Sequence, residues 1–343
     1  VRDPKRTPRC ARRFTPYAGR FVVAYLLDRL IQMVIVLFLL SVGAYYLLGL
    51  MPGDPVELLI TSNPKVKPED IERLKKIYGL DQPIYIRYFK WLKQLTLEGD
   101  LGFSRTYKKP TGEILKIRVL NTLKLMTFSF LLSFLIAIPV GVYSAIKQYS
   151  TFDYVVNLMV FLGISIPTFL TGILAILVFS VQLQWFPAGG IFTIGVDSVL
   201  DQLKYLVLPT FVLSVGSISG WSRYIRASML EVLHEDYIRT ARAKGVPEKR
   251  IIFYHAFRNA LIPTITILAL SIPGLFSGAL ITETIFAWPG MGRLLYDSVM
   301  GSDYYVAMLC FLALGVLTLI FNFLADILYA VADPRVRVMK EGP

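Results

Sequence analysis

The chain has 343 residues, of which 55% are hydrophobic and only 17% charged. Soluble globular chains average about 45–50% apolar and about 25% charged. A large soluble helical core is excluded, because so many charge-free runs exceed what a chain of this size can bury. The net charge of +12 lies mainly in the N-terminal segment and in the loop between the fourth and fifth apolar runs, with a smaller basic excess in the long segment after the first, and nucleic acid is the weaker reading of it.

Residues 1–29 form a basic segment with Arg2, Lys5, Arg6, Arg9, Arg12, Arg13, Arg20 and Arg29 against Asp3 and Asp28. An excess of Lys and Arg in short flanking segments marks the cytoplasmic side. The first predicted transmembrane helix occupies residues 30–53, around the charge-free run Leu30–Met51. It is too long for the apolar core of a signal peptide, and no small-residue cleavage site follows, so it is expected to stay as an anchor.

Residues 54–118 are predicted to be an extracytoplasmic helical insertion between the first two spans. Pro68, Glu69 and Asp70 open one amphipathic helix, with Ile71, Leu74 and Tyr78 on one face and Gly79 as its stop. After Asp81 and Pro83, a second stripe runs through Ile84, Tyr88, Trp91, Leu92 and Leu95 to about Gly99. A cap on the outer helix ends and a docking surface for an external partner both fit this pattern.

Five further spans follow within residues 119–332, giving an all-α integral membrane protein of about six transmembrane helices. They centre on Leu125–Ile146, Tyr154–Val181, Tyr205–Trp221, Asn259–Thr282 and Tyr304–Ala325. The fourth is short and interrupted by Pro209, Gly216 and Gly220. The loops at 184–203 and 287–303 hold Arg293 as their one basic residue, which places them outside. Trp185 and Trp288 stand just beyond span ends, where interfacial aromatics belong. Trp288-Pro289-Gly290-Met291-Gly292 reads as a turn before a short helix with Leu294, Leu295 and Val299. Ser302 or Asp303 is placed to cap the last span. Residues 333–343 are a cytoplasmic tail, so both termini are expected inside. Cys10 lies in the inner segment and Cys310 in the last span, so no disulfide is expected.

The inside loop between the fourth and fifth spans is long and reads as helix throughout. It carries Arg223, Arg226, Arg239, Arg242, Lys244, Lys249, Arg250 and Arg258. Asp236 is a predicted N-cap for Tyr237–Lys244, and Gly245 a C′ residue where φ > 0 costs glycine little. Pro247 then suits the first turn of another helix. The enclosed helix has about two turns, too few to be stable alone in water. Arg239 and Arg242 share one face, and Tyr237, Ala241 and Lys244 another. That combination suits a groove on a second protein, and equally an interfacial helix resting on anionic lipid.

Tyr237-Ile238-Arg239-Thr240-Ala241-Arg242-Ala243-Lys244-Gly245, followed by Arg258-Asn259-Ala260-Leu261-Ile262-Pro263, resembles the coupling-helix signature of ABC importer permeases. The general signature is Glu-Ala-Ala, three residues, then Gly, with a later Leu-Pro. Here Arg239-Thr240 replaces Glu-Ala, Ala241 and Gly245 match, and Ile262-Pro263 stands for Leu-Pro. These departures resemble the version in the dipeptide/oligopeptide/nickel permease family. Met51-Pro52-Gly53-Asp54-Pro55, Gly79-Leu80-Asp81-Gln82-Pro83 and Gly99-Asp100-Leu101-Gly102 are similar to its B-type subunit. So are Glu283-Thr284-Ile285-Phe286-Ala287-Trp288-Pro289-Gly290-Met291-Gly292 and Asp333-Pro334-Arg335. Tyr305 stands where the family has proline.

The resemblance implies a type I ABC importer transmembrane domain in a prokaryotic plasma (inner) membrane. It implies a second homologous permease subunit, two ATP-binding subunits and an extracytoplasmic solute-binding protein as partners, with lipid around the spans. Asp236, Tyr237, Arg239, Ala241, Arg242, Lys244 and Gly245 are the residues it assigns to ATPase coupling. The solute it implies is peptide-like, within a family that also moves glutathione, nickel and oligosaccharides.

No Gly-x-x-x-x-Gly-Lys-Ser/Thr phosphate loop occurs, so ATP and Mg²⁺ are expected on the partner ATPases and no cofactor in this chain. No catalytic residue set and no His/Cys metal cluster is readable; His234 and His255 are the only histidines. An ion-coupled secondary transporter or channel is the rival reading, and such carriers bury ionisable groups near mid-membrane. Here Glu283 and Asp326 fall near span ends. Glu283 is a candidate for the substrate path, with a turn residue typical of the family as the alternative.

Overall fold

The computed structural model describes residues 16–50, Arg73 and residues 81–332. The first amphipathic helix expected in the insertion, the Met51–Pro55 motif, Asp333-Pro334-Arg335 and most of the basic N-terminal segment lie outside the described residues.

Helix α1 (Pro16–Gly49) contains the first predicted span, and α2 (Ile84–Lys93) continues through a π-turn at Gln94–Glu98. Gly99 ends it at φ +66, where the expected stripe stops. Tyr88 and Trp91 of α2 are buried against Ala44 of α1 and against Met308, Leu309 and Leu312. Tyr88 OH and Ser41 Oγ are 2.8 Å apart, so even the polar tip of this aromatic anchor is satisfied. The second stripe is therefore a cap on helix ends, and its opposite face leaves Tyr85 and Phe89 exposed.

A two-residue hairpin, β1 (Phe103–Ser104) and β2 (Lys109–Pro110), is a small departure from an all-helical chain. It is fastened to the start of the last helix, because Asp303 accepts from Ser104 Oγ at 2.7 Å and from Thr106 N–H at 3.1 Å.

Helix α3 (Thr111–Ile146) holds the second predicted span. The third span is not one helix. It is α4 (Thr151–Ser165) and α5 (Thr168–Ala175, extended by a π-turn at Ile176–Gln182), bent by 106°. Pro167 is the cause: the residue before proline is pushed out of the α region, and Ile166 is extended at φ −83, ψ 122. The fourth span, short in the sequence, lies inside the 35-residue α6 (Val199–Leu233). Pro209 sits within α6 without ending it, because the helix is held by tertiary packing. Helices α3 and α6 lie close enough that a Cβ on Gly141 would stand 2.7 Å from the Ser222 carbonyl oxygen. Phe130 meets Trp221 edge to face across this seam, with ring centroids 5.4 Å apart.

Helices α7 (Asp236–Ala243) and α8 (Glu248–Arg250), with a π-turn at Ile251–Ala256, lead into α9 (Phe257–Ile285), which includes the fifth predicted span. Helix α10 (Met291–Met300) is the short helix expected after the Trp-Pro-Gly turn, and α11 (Tyr304–Ala332) holds the last span. Asp303 directly precedes α11, but its carboxylate is committed to the hairpin through Ser104 and Thr106 in place of the expected cap. Trp288 is not an interfacial aromatic: it is 3% exposed, and its indole N–H donates to the Asn121 carbonyl at 3.1 Å. Trp185 is exposed. Among the described residues, four helices are long and apolar enough to cross a membrane, and the bent α4–α5 pair makes a fifth if it is one crossing. Arg29 pairs with Asp326 at 3.2 Å, joining α1 to α11.

Candidate functional site: a braced interhelical helix

Helix α6 runs past the apolar core and stops at Leu233, and the chain turns into α7. Glu235, not Asp236, occupies the N-cap of α7, and its side chain makes no capping bond. Asp236 is the first helical residue and pairs with Arg239 at 2.8 Å, one turn along. Pro247 likewise precedes α8 in extended cap geometry rather than standing in its first turn.

Eight residues do not make a stable helix in water. Ile238 supplies what is missing. It is fully buried in one cluster with Ile225 and Met229 of α6 and with Ile251, while Ala241 and Val246 pack against that cluster. The sequence singles out Ile238 only as the one large aliphatic residue in a short helix whose other members are charged, polar, alanine or tyrosine.

The C-terminus of α7 is a Schellman motif. Gly245 N–H donates to the Arg242 carbonyl at 2.9 Å and Val246 N–H to the Ala241 carbonyl at 3.2 Å. Gly245 has φ +73, and a Cβ there would meet nothing within 4 Å. The backbone conformation, not a lack of space, is what favours glycine here.

Arg239 and Arg242 are not two equivalent free charges. Arg242 Nη2 lies 2.8 Å from Glu248 Oε1, and this pair spans the Gly245 turn between α7 and α8. The Arg242 guanidinium holds the Glu248 carboxyl below the ordinary range. Among the described residues, Arg239 pairs with the solvated Asp236 alone, and its side chain is exposed. Tyr237 is 42% exposed, and its hydroxyl accepts from Asn259 Nδ2 at 2.9 Å, which binds α7 to the start of α9. Lys244 is exposed. Beside this face, Tyr254 lies between Arg250 and Arg258, whose guanidinium carbons are 5.9 and 6.0 Å from its ring centre. The result is a rigid, basic and aromatic knob anchored from below by one isoleucine.

Glu283 belongs elsewhere and does something different. It is fully buried, Thr122 Oγ1 donates to its Oε1 at 2.6 Å, and Arg293 N–H donates to its Oε2 at 3.1 Å. Thr122 Oγ1 in turn accepts from Met291 N–H at 2.7 Å. The carboxylate thus caps the first turn of α10, where free N–H groups and the helix dipole favour an anion. It is a turn-holding residue enclosed by protein.

Among the described residues, no group of three or more His, Cys, Asp or Glu is placed to hold a metal ion.

A bundle of long apolar helices with a braced helix projecting between two of them is the membrane part of a transporter. The chain belongs to the family of inner-membrane components of binding-protein-dependent transport systems. Residues 137–338 match the family of that description, and residues 22–111 match its N-terminal membrane component. The oligopeptide transport system permease protein AppB of Bacillus subtilis is 42% identical over 317 residues, covering 92% of this chain and 99% of that protein. The di/tripeptide transport system permease protein DppB of Pseudomonas aeruginosa is 35% identical over 338 residues, covering 92% and 99%. Among solved structures, the inward-facing MetNI methionine ABC transporter superposes with TM-score 0.53 at 20% identity, over 65% of this chain and 98% of that one. That likeness concerns the fold: the type I ABC importer transmembrane architecture. The chain is a permease subunit of an ABC importer, and it works with an ATPase and a binding protein.

Proposed function

We propose that this permease forms half of a translocation path for a peptide-like solute, completed by a second homologous permease. The solute class rests on the near full-length identity to oligopeptide and di/tripeptide permeases. Two ATP-binding subunits sit on the cytoplasmic side and carry ATP and Mg²⁺, while this chain holds no cofactor and performs no catalysis. An extracytoplasmic binding protein delivers the solute. The chain crosses the plasma (inner) membrane six times, α4 and α5 forming one bent crossing and α9 another, with both termini in the cytoplasm.

Helix α7 is the coupling element. Its outward residues Tyr237, Arg239 and Lys244 contact the ATPase, while Ala241, Arg242 and Gly245 fix its inner face and its end. The observation that carries this role is the anchoring of α7 by buried Ile238. A displacement imposed on the knob passes through Ile225 and Met229 into α6, and through Asn259 into α9. A free loop would absorb the same displacement.

The test is uptake by proteoliposomes containing this chain, its sister permease, both ATPases and the binding protein. Uptake of a labelled tripeptide is expected to require ATP, Mg²⁺ and the binding protein together. Uptake driven by an ion gradient without any ATPase would refute the importer reading.

A further inference from the structure

A cavity of about 400 Å³ opens between the outer ends of α3 and α6. That size lies in the range of roughly 300–1,000 Å³ found for small-molecule sites. Asn121, Lys124 and Phe128 line it from one stripe of α3, Gln202 from the first turn of α6, and Phe192 from the loop before it. Trp288 lines it as well.

The Trp288 side of the lining is held by protein bonds. Trp288 is buried and its indole N–H is already bound to the Asn121 carbonyl, while Asn121 Nδ2 donates to the Pro289 carbonyl at 2.9 Å. Lys124 is the opposite case. It is exposed, no acidic side chain lines the cavity, and its ammonium has no ion-pair or hydrogen-bond partner among the described residues. An uncommitted cation in a lining that also holds Phe128, Phe192, Trp288 and a Gln amide fits an anion joined to an apolar body.

On the reading that the chain carries peptides, we propose that this cavity is a subsite for the C-terminal residue of the solute. Lys124 takes the carboxylate, and Phe128, Phe192 and Trp288 take the adjoining apolar side chain. The subsite faces the outer mouth of the path, where a peptide leaving a binding protein arrives.

Saturation-transfer NMR on the full-length chain in phosphatidylcholine nanodiscs tests this with leucyl-leucyl-phenylalanine and its C-terminal amide. The free acid is expected to bind about fivefold more tightly than the amide, as for one partly solvated ion pair. Lys124→Gln and Lys124→Glu are expected to abolish that difference, and Lys116→Glu, on the same helix outside the cavity, to preserve it. Equal binding of acid and amide, or a preference that survives Lys124→Glu, overturns the subsite. Loss of the peptide signal when phosphatidylglycerol is added also overturns it, since a lipid anion then fills the cavity. This binding measurement needs neither ATP nor ATPase, so it can fail while ATP-dependent uptake persists, and the reverse.

Discussion

Arg226 holds Asp153 through two parallel bonds of 2.7 Å, from Nε to Oδ1 and from Nη2 to Oδ2. The same carboxylate accepts from Ser144 Oγ and, at 3.0 Å, from Tyr149 N–H. One buried anion therefore fastens the start of α4, the end of α3 and the inner part of α6 together. Planar two-point pairing of this kind is what guanidinium does and ammonium does not.

Removing one member of a buried pair leaves the other charge uncompensated, at a cost of about 3–5 kcal/mol. Arg226→Ala strands the buried Asp153 carboxylate and is expected at the upper end, whereas Asp153→Ala strands Arg226, which retains partial solvent access, and is expected at the lower. Both are read as a fall in the thermal unfolding midpoint of the purified chain in detergent. The double variant is expected to lose clearly less than the two singles added together. Additive losses would mean that the two side chains are not coupled.

This clamp marks the limit of what the sequence makes legible. Charge-free runs place the apolar helices, since lipid leaves little choice of structure, and Gly245 marks the end of α7 because a left-handed residue after a short helix is a local requirement. The bend at Pro167 was also local, yet an uncharged run hides it: hydropathy records solvent preference, not direction. Asp153 with Arg226, 73 positions apart, and Thr122 with Glu283, 161 apart, are non-local pairs that one sequence does not announce. Trp288 was misplaced for the same reason. Its partner, the Asn121 carbonyl, comes from another helix.

Glu283→Ala is expected to destabilise the turn into α10 without affecting solute selectivity. The Thr122 hydroxyl and the Arg293 N–H would be left without their acceptor, at about 1–3 kcal/mol for each buried group orphaned. Protease cleavage within 286–300 should become faster, while relative uptake of different tripeptides stays fixed. A changed preference among peptides would return Glu283 to the substrate path.

Lys93 in α2 and Lys249 in α8 are both exposed and are expected on opposite sides of the membrane. In a background lacking Cys10 and Cys310, Lys93→Cys should react with an impermeant maleimide in intact cells. Lys249→Cys should react only after the membrane is opened. Labelling of both from outside would reverse the proposed arrangement of the loops.

The Arg242–Glu248 pair gives the Gly245 turn a pH dependence. The carboxyl of Glu248 is held low by the Arg242 guanidinium, so its contribution is present above the ordinary glutamate range. It is lost as pH falls through the lowered folded-state value. Amide exchange over residues 243–250, corrected for the intrinsic effect of pH, should therefore accelerate on the acid side of the carboxylate range and not between pH 6 and 8. Because the pair is solvent-exposed, the change should be small and should shrink in high salt. Glu248→Gln should abolish the pH response; an unchanged response would assign it to another group.

Gly245 carries the sharpest test of coupling. Its φ of +73 is disfavoured for any β-branched residue, while the space around it is open, so substitution acts through the backbone and not through a clash. Gly245→Val is expected to cost about 1–3 kcal/mol locally, enough to undo the Schellman bonds from Gly245 and Val246 and to swing α7 about Ile238. Gly245→Asn, which tolerates the left-handed region, should retain most function. For the valine variant, insertion and pairing with the sister permease should survive, whereas ATPase binding in pull-down and stimulation of ATP hydrolysis by the binding protein should drop together. Arg239→Ala should weaken the same step mildly. Arg242→Ala should act more through loss of the Glu248 pair, and so raise amide exchange in the turn where Arg239→Ala does not. Normal ATPase binding and transport by Gly245→Val would show that α7 does not need this geometry to transmit motion, and would remove it as the coupling element.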